Sequence, residues 1–216
     1  MSSKISPILH LPFNGNANDI SGNGNHGTVY GATLTDDRFG HPNSAYNFDG
    51  TDDYIELPHV LSGANRFTIV CWVKTTQQTS GSFRYTDPVI LGTGQLTGVS
   101  ADFLITNYNG NFAWLDEFYT SRVSHDTGEF IADGMWHQLI VVRNGENLYF
   151  YLDGVNVGEN STGSNTVRDS PIYLGHSDGT LYYDGMIDDV RIYNQPLTPT
   201  QVDYIYTMTK RKYGRR

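Results

Sequence analysis

The residues of this sequence that can do chemistry are carboxylates, amides and aromatic rings. Asp19, Asp49, Asp52, Asp53, Asp188 and Asp189 stand in or beside stretches rich in Gly and Asn. Hard cations such as Ca²⁺ take six to eight oxygens from carboxylates, amide carbonyls and backbone, which such loops supply. The same aspartates can also cap turns and pair with Arg191, and no EF-hand spacing separates the two uses. The densest aromatic segment runs from Tyr108 through Asn109, Asn111, Phe112, Trp114, Asp116 and Phe118 to Tyr119. On a strand, Trp114, Asp116 and Phe118 share one face. Tyr108, Tyr119 and Tyr85 come near if the strands fold back. Aromatic faces stack on the apolar side of a pyranose while amides and carboxylates take its hydroxyls, so these six residues form the candidate sugar-binding set. The competing reading makes the same rings filler of a hydrophobic core.

Catalytic arrangements fare worse. Gly175-His176-Ser177-Asp178-Gly179 spells a Gly-x-Ser-x-Gly nucleophile elbow. That device needs a strand leading into a helix, whereas Leu181-Tyr182-Tyr183 reads as another strand. The seven histidines never fall at the close spacings of zinc motifs, and the one cysteine, Cys71, has no partner. Asp116-Glu117 is the sole acidic pair on a strand suited to hold substrate. Adjacent strand residues point to opposite faces, so the pair does not suit glycoside hydrolysis, which needs two carboxylates flanking one bond.

The elements that must position these residues are strands. Among 216 residues are 23 Gly, 15 Tyr and 10 Phe, with 17% charged, a composition of short strands and tight turns. Ile8–Phe13 reads as the first strand, followed by a long Asn/Gly loop. Phe67–Lys74 is apolar on both faces, which places it mid-sheet or under a cover. Residues 138–143, 147–152 and 155–158 form a meander whose turns, Asn144-Gly145 and Asp153-Gly154, suit two-residue hairpins. Further strands are expected at 172–174, 181–183 and 187–193. Thr198-Pro199-Thr200-Gln201 has the pattern of a capping box with proline at the first helical position, and Val202, Ile205 and Tyr206 then share one helical face.

The net charge of −9 excludes general binding to nucleic-acid phosphates. Five of the 14 basic residues lie between Lys210 and Arg216, leaving 9 against 23 acidic side chains in the first 209 residues, a net −14. Such a basic end is either a solvated tail or a segment that docks on an acidic surface, such as another copy of the chain. Cys71, mid-strand among apolar residues, reads as a small core hydrophobe. No secretory signal or membrane span is visible, so cell-surface, extracellular and virion-surface locations all stay open.

Four phrases, taken in order, carry a family resemblance: Phe48-Asp49-Gly50 to Pro58; Phe67 to Lys74; Asp133-Gly134-Met135-Trp136-His137 with Leu148 to Gly158; and Gly185-Met186-Ile187-Asp188-Asp189 to Thr198. Together they resemble the laminin G-like jelly roll of the concanavalin A-like lectin/glucanase superfamily. The resemblance implies an all-β, two-sheet antiparallel sandwich with a short C-terminal helix. It divides the chain into an N-terminal extension (1–7), a jelly roll (8–206) and a basic tail (207–216). It also makes Trp72 and Trp136 structural. Because many members hold a structural calcium near the joined chain ends, it implies Ca²⁺ at Asp19 and Asp188, completed by Asn25 and backbone carbonyls. The glucanases of the superfamily carry Glu-x-Asp-x-x-Glu on one strand, and no glutamate here starts that pattern. The expected function is therefore a non-catalytic, glycan-binding module of lectin type. The alternatives are a structural or decoration protein of a larger assembly such as a virion, and third a glycan-degrading enzyme.

Overall fold

The computed structural model describes residues 5–79, 87–94, 101–118, 121–176 and 181–211, apart from the side chains at 117, 118 and 121–123. In chain order the strands are β1 (Leu9–Leu11), β2 (Thr28–Tyr30), β3 (Thr33–Thr35), β4 (Ala45–Asp49), β5 (Tyr54–Leu57), β6 (Arg66–Lys74), β7 (Val89–Thr93) and β8 (Phe103–Tyr108). They continue with β9 (Asn111–Phe118), β10 (Ser121–Phe130), β11 (His137–Asn144), β12 (Asn147–Leu152), β13 (Val155–Ser161), β14 (Ile172–Leu174) and β15 (Asp184–Tyr193). One helix, α1 (Pro199–Thr209), follows.

Two antiparallel sheets form the sandwich expected of a jelly roll. The eight-stranded sheet runs β13-β12-β11-β6-β15-β4-β3, with β1 also on β15, and the seven-stranded sheet runs β10-β9-β8-β7-β14-β5-β2. Alternation fixes what each sheet turns inward. Phe67, Ile69, Cys71 and Val73 of β6 join Phe103 and Ile105 of β8 and Phe112 of β9 in the core between the sheets. Each such side chain stabilises by about 1.5–3 kcal/mol through burial. Burial also pushes the Cys71 thiol up to about 12, so it behaves as the small hydrophobe expected.

The other face of β6 is apolar for a second reason. It lies between β11 and β15, and Val70 packs with Ile140, Val142 and Tyr193 under Val202 and Ile205 of α1. Both parts of the expectation hold: mid-sheet and covered. The helix starts as its sequence dictates. The Thr198 hydroxyl accepts from the Gln201 amide, and the Gln201 side chain accepts from the Thr198 N–H at 2.8 Å. It ends later than expected. Thr209 is buried, so the chain stays docked past 206 and the tail boundary at 207 falls inside the helix.

One further expectation needs correction. Residues 181–183 are not a strand; the strand begins at Asp184. Of the two tryptophans expected to be structural, Trp72 is buried and stacks on Tyr206 at 6.0 Å, and Trp136 is half-buried. On β15 the ladder to β6 shifts between Asp188 and Arg191, with Asp189 at φ 49°. That bulge lets Ile187 and Val190, three residues apart, both enter the core. Among the described residues no helix is long and apolar enough to cross a membrane.

Candidate functional site

The aromatic segment expected to stack on a sugar does not face solvent. Alternation on β9 turns Phe112 and Trp114 inward, and Trp114 is 0% exposed. Its ring stacks on Phe103 at 5.1 Å with an interplanar angle of 1°, and Phe150 packs against it. The indole N–H donates to Asp116, itself 1% exposed, at 3.3 Å, and the Thr162 hydroxyl donates to the same carboxylate oxygen. This corrects the placement of the ligand around Trp114 and Asp116, because neither offers a surface. Tyr108 is half-buried at the end of β8. Tyr85, Tyr119 and the side chain of Phe118 lie outside the described residues.

The residues expected to hold calcium have protein partners instead. Asp19 accepts at Oδ1 from the backbone N–H groups of His10 (2.9 Å) and Ser21 (2.8 Å). At Oδ2 it accepts from the Ser21 hydroxyl (2.8 Å) and the Asn25 N–H (2.9 Å). Burial alone would raise its pKa, but these bonds outweigh burial and hold it below the usual carboxylate value. Asn25 spends its side-chain amide on the Ile8 carbonyl at 2.8 Å.

Asp188 lies under α1 and pairs with Arg38 Nη1. Arg38 also reaches Asp189 at 3.0 Å and the Thr209 carbonyl at 3.1 Å, and its guanidinium sits 4.6 Å from the Phe39 ring and 4.9 Å from Trp72. Arg191 grips both oxygens of Asp189 (2.8 and 2.9 Å), and His10 Nε2 lies 2.9 Å from one of them. Burial, aided by Asp189 and Asp37 against the pull of Arg38, pushes Asp188 up to about 7. Burial works in the same sense on Asp189, but His10 and the two arginines hold it well below the usual range. A fixed guanidinium therefore stands against the carboxylate that a divalent cation would need, and this donor set does not fit Ca²⁺. A cavity of about 450 Å³ opens beside this cluster. Elsewhere, Asp49, Asp52 and Asp53 bring one oxygen each within 4.8 Å of one another.

The surface aromatics lie on the seven-stranded sheet. On β5, Ile55 and Leu57 enter the core, which turns Tyr54 and Glu56 outward. β2 sets Tyr30 opposite Tyr54 and Thr28 opposite Glu56, while β14 sets Tyr173 opposite Glu56 from the other side. Tyr30 and Tyr54 stack at 4.4 Å and 16°. Tyr54 then meets Tyr173 (6.0 Å) and His176 (5.8 Å), and His176 stacks on Tyr182 at 4.4 Å. A row of rings thus crosses the sheet and ends at Tyr30, 42% exposed, on the edge strand. Each ring of the stacked pair gives one face to the other, and the edge position leaves the outer face of Tyr30 open.

Two features fix this end of the row. Gly31 has φ +76°, and a Cβ there would lie 2.0 Å from Asp53 Oδ1. The other oxygen of Asp53 accepts from the Asp49 N–H at 3.0 Å, closing the turn before Tyr54. One carboxylate therefore joins the end of β4 to the start of β5 and lies against Gly31, just past the end of β2. Burial pushes Tyr173 up to about 12, with Glu56 adding to it, and burial holds His176 below its ordinary value, so its ring stays neutral in the stack.

A model of the concanavalin A-like lectin/glucanases superfamily, of laminin G type, matches residues 49–203. The chain belongs to this superfamily. Domain 4 of AbnA, an extracellular arabinanase of family GH43 from Geobacillus stearothermophilus, solved with arabinotriose, superposes on this jelly roll with a TM-score of 0.70 at 20% identity, covering 94% of this chain and 98% of that one. The binding domain of Paraclostridial Mosquitocidal Protein 1 superposes with a TM-score of 0.72 at 16% identity, covering 94% of this chain and 52% of that one. At these identities the likeness concerns the fold alone. In sequence, 174 residues are 25% identical to adhesion G-protein coupled receptor V1 of Danio rerio, 75% of this jelly roll's chain but 3% of the receptor's length.

Proposed function

We propose that this jelly roll is a non-catalytic carbohydrate-recognition module whose ligand lies against the edge of the seven-stranded sheet at Tyr30. The observation that carries the reading is the Tyr30–Tyr54 stack. An aromatic ring held rigidly by a second ring presents a flat apolar face at little entropic cost, the surface on which a pyranose stacks. Thr28 and Glu56, on the same side of the sheet, supply a hydroxyl and a carboxylate for sugar hydroxyls. The fold supports the same reading, since one solved neighbour is an arabinanase domain in complex with arabinotriose and another is a toxin's binding domain.

A glycan array probed with the wild type and with Tyr30→Ala tests the reading. Tyr30 lies outside the core, so the variant stays folded with a stability loss of about 0.5–1.5 kcal/mol from the lost stack, and it loses the array signal. Absence of any glycan signal from the wild type, or an equal signal from a folded Tyr30→Ala variant, overturns the proposal.

A further inference from the structure

We infer that the Tyr30 edge selects sugars by charge: it binds amino sugars carrying a free ammonium more tightly than their neutral N-acetylated counterparts, and it disfavours acidic glycans. The inference rests on the proposed sugar-binding role of Tyr30 and adds the substrate class. It follows from which charges share the face. Glu56 stands opposite Thr28 and diagonal to Tyr30, close enough for a long side chain to reach the ligand on that ring. Beside it, the turn that leads into Tyr54 carries Asp49 and Asp52, both exposed, and Asp53. Among the described residues, no Lys or Arg belongs to β2, β5, β14 or the turns that carry Tyr30 and Tyr54.

His26, two residues before Thr28, accepts from the Asp19 N–H at 3.0 Å. His59, two residues after Leu57, lies 2.8 Å from Asp169, so both histidines beside these strands have partners of their own. The nearest arginines are committed elsewhere. Arg38 is locked against Asp188 and Asp189 on the other sheet, and Arg168, ahead of β14, pairs with Asp102 at 2.6 Å. His176, inside the ring row, is 0% exposed. Among the described residues the ligand therefore meets an aromatic face flanked by carboxylates, with no Lys or Arg on the strands that carry it. An ammonium gains twice there, from the quadrupole of Tyr30 and from Glu56. A carboxylated or sulfated sugar is repelled by the same carboxylates.

At exposed sites these two terms together amount to a preference on the order of fivefold to tenfold for the charged amine at low salt. Mobile ions screen charges beyond about 3 Å at 1 M salt, so the preference shrinks towards none there. The test compares glucosamine oligomers, N-acetylglucosamine oligomers of equal length and oligogalacturonate by titration calorimetry, at a pH where the amine is charged. The proteins are the wild type, Tyr30→Ala and Glu56→Gln. The expected result is tightest binding of the glucosamine oligomer and weakest binding of oligogalacturonate. Glu56→Gln then reduces the amine preference at least threefold while still binding the N-acetylated oligomer, and Tyr30→Ala loses both ligands. Equal affinity for the two oligomers, a preference unchanged in Glu56→Gln, or tight binding of oligogalacturonate overturns the inference while leaving Tyr30 as a sugar platform. Failure of every oligomer to bind the wild type, or full binding by Tyr30→Ala, overturns the platform and the inference together.

Discussion

Replacing Arg38 with methionine keeps an unbranched apolar stem and deletes one buried charge. The side chain of Arg38 is 9% exposed, and those of its partners Asp188 and Asp189 are 3% and 7% exposed. Removing one partner from such a set costs about 3–5 kcal/mol, because the carboxylates left behind are neither solvated nor neutralised. Asp189 keeps Arg191 and His10, so the loss falls on Asp188. Asp188 can escape part of it by holding a proton, which its raised pKa of about 7 already favours. The low end, about 3 kcal/mol, is therefore expected at pH 8. In a domain of this size each kcal/mol moves the melting temperature by about 2–4 °C, which gives a drop of about 6–12 °C. At pH 5.5 the proton takes over part of the role of Arg38 and the deficit shrinks. Asp188→Asn in the Arg38→Met background restores part of the loss at pH 8. Circular dichroism melts of the wild type, the single variants and the double variant at both pH values read all of this. A melting temperature for Arg38→Met within about 2 °C of wild type at pH 8 refutes the reasoning.

Wild-type stability should carry a signature of Asp188. Its folded pKa of about 7 lies above the ordinary 3.8, so between those values the folded state binds the extra proton. This group's contribution is thus full below about pH 4 and is lost as pH rises to 7, and Asp188→Asn should show a flatter stability profile across that window in urea titrations. Chelation with EDTA should leave the melting temperature unchanged, since Asp19 and Asp188 are held by protein donors; an increase of several degrees on adding calcium would count against that. Gly31→Ala forces a Cβ onto Asp53 in a left-handed backbone, so about 1–3 kcal/mol should be lost in denaturant titrations, together with glycan binding at Tyr30. Trp114→Ala should cost about 3–5 kcal/mol as a core truncation; a near-neutral effect would mean the ring is not core.

The fold was legible because its signals are local. The apolar pattern on both faces of Phe67–Lys74 marked a covered central strand, and Thr198 with Gln201 marked the helix start. The tyrosine row was not legible, because it depends on parity and register between distant strands. β9 is apolar on both faces, Phe112 and Trp114 on one and Ala113 and Leu115 on the other, so nothing local says which faces the core. The richest aromatic segment suits a sugar platform and a core filler alike, and its rings at Phe112 and Trp114 are interior. A signal for the real row did exist. Tyr54-Ile55-Glu56-Leu57 alternates cleanly, which turns Tyr54 and Glu56 away from the core. What sequence lacked was the pairing of β2 and β14 with β5 that gathers Tyr30 and Tyr173 around them. Arg38 gave no signal, since one arginine in a loop says nothing of two aspartates far along the chain.

The pairing of β1 with β15 has a mechanical consequence. Leu9 stands opposite Ile192 and Leu11 opposite Val190, so the chain enters β1 and leaves β15 at the same end of their ladder. Tension applied through the two flanking segments would load that ladder as a zipper, one rung at a time, rather than in shear across all rungs at once. On the C-terminal side the force must first strip α1 from its seat, where the Gln138 amide holds the Thr209 hydroxyl at 2.8 Å and Arg38 holds the Thr209 carbonyl. The helix thus acts as a mechanical latch over a weak seam. The tyrosine edge belongs to the other sheet, so a domain pulled by its ends would give way first on the sheet away from the proposed sugar site.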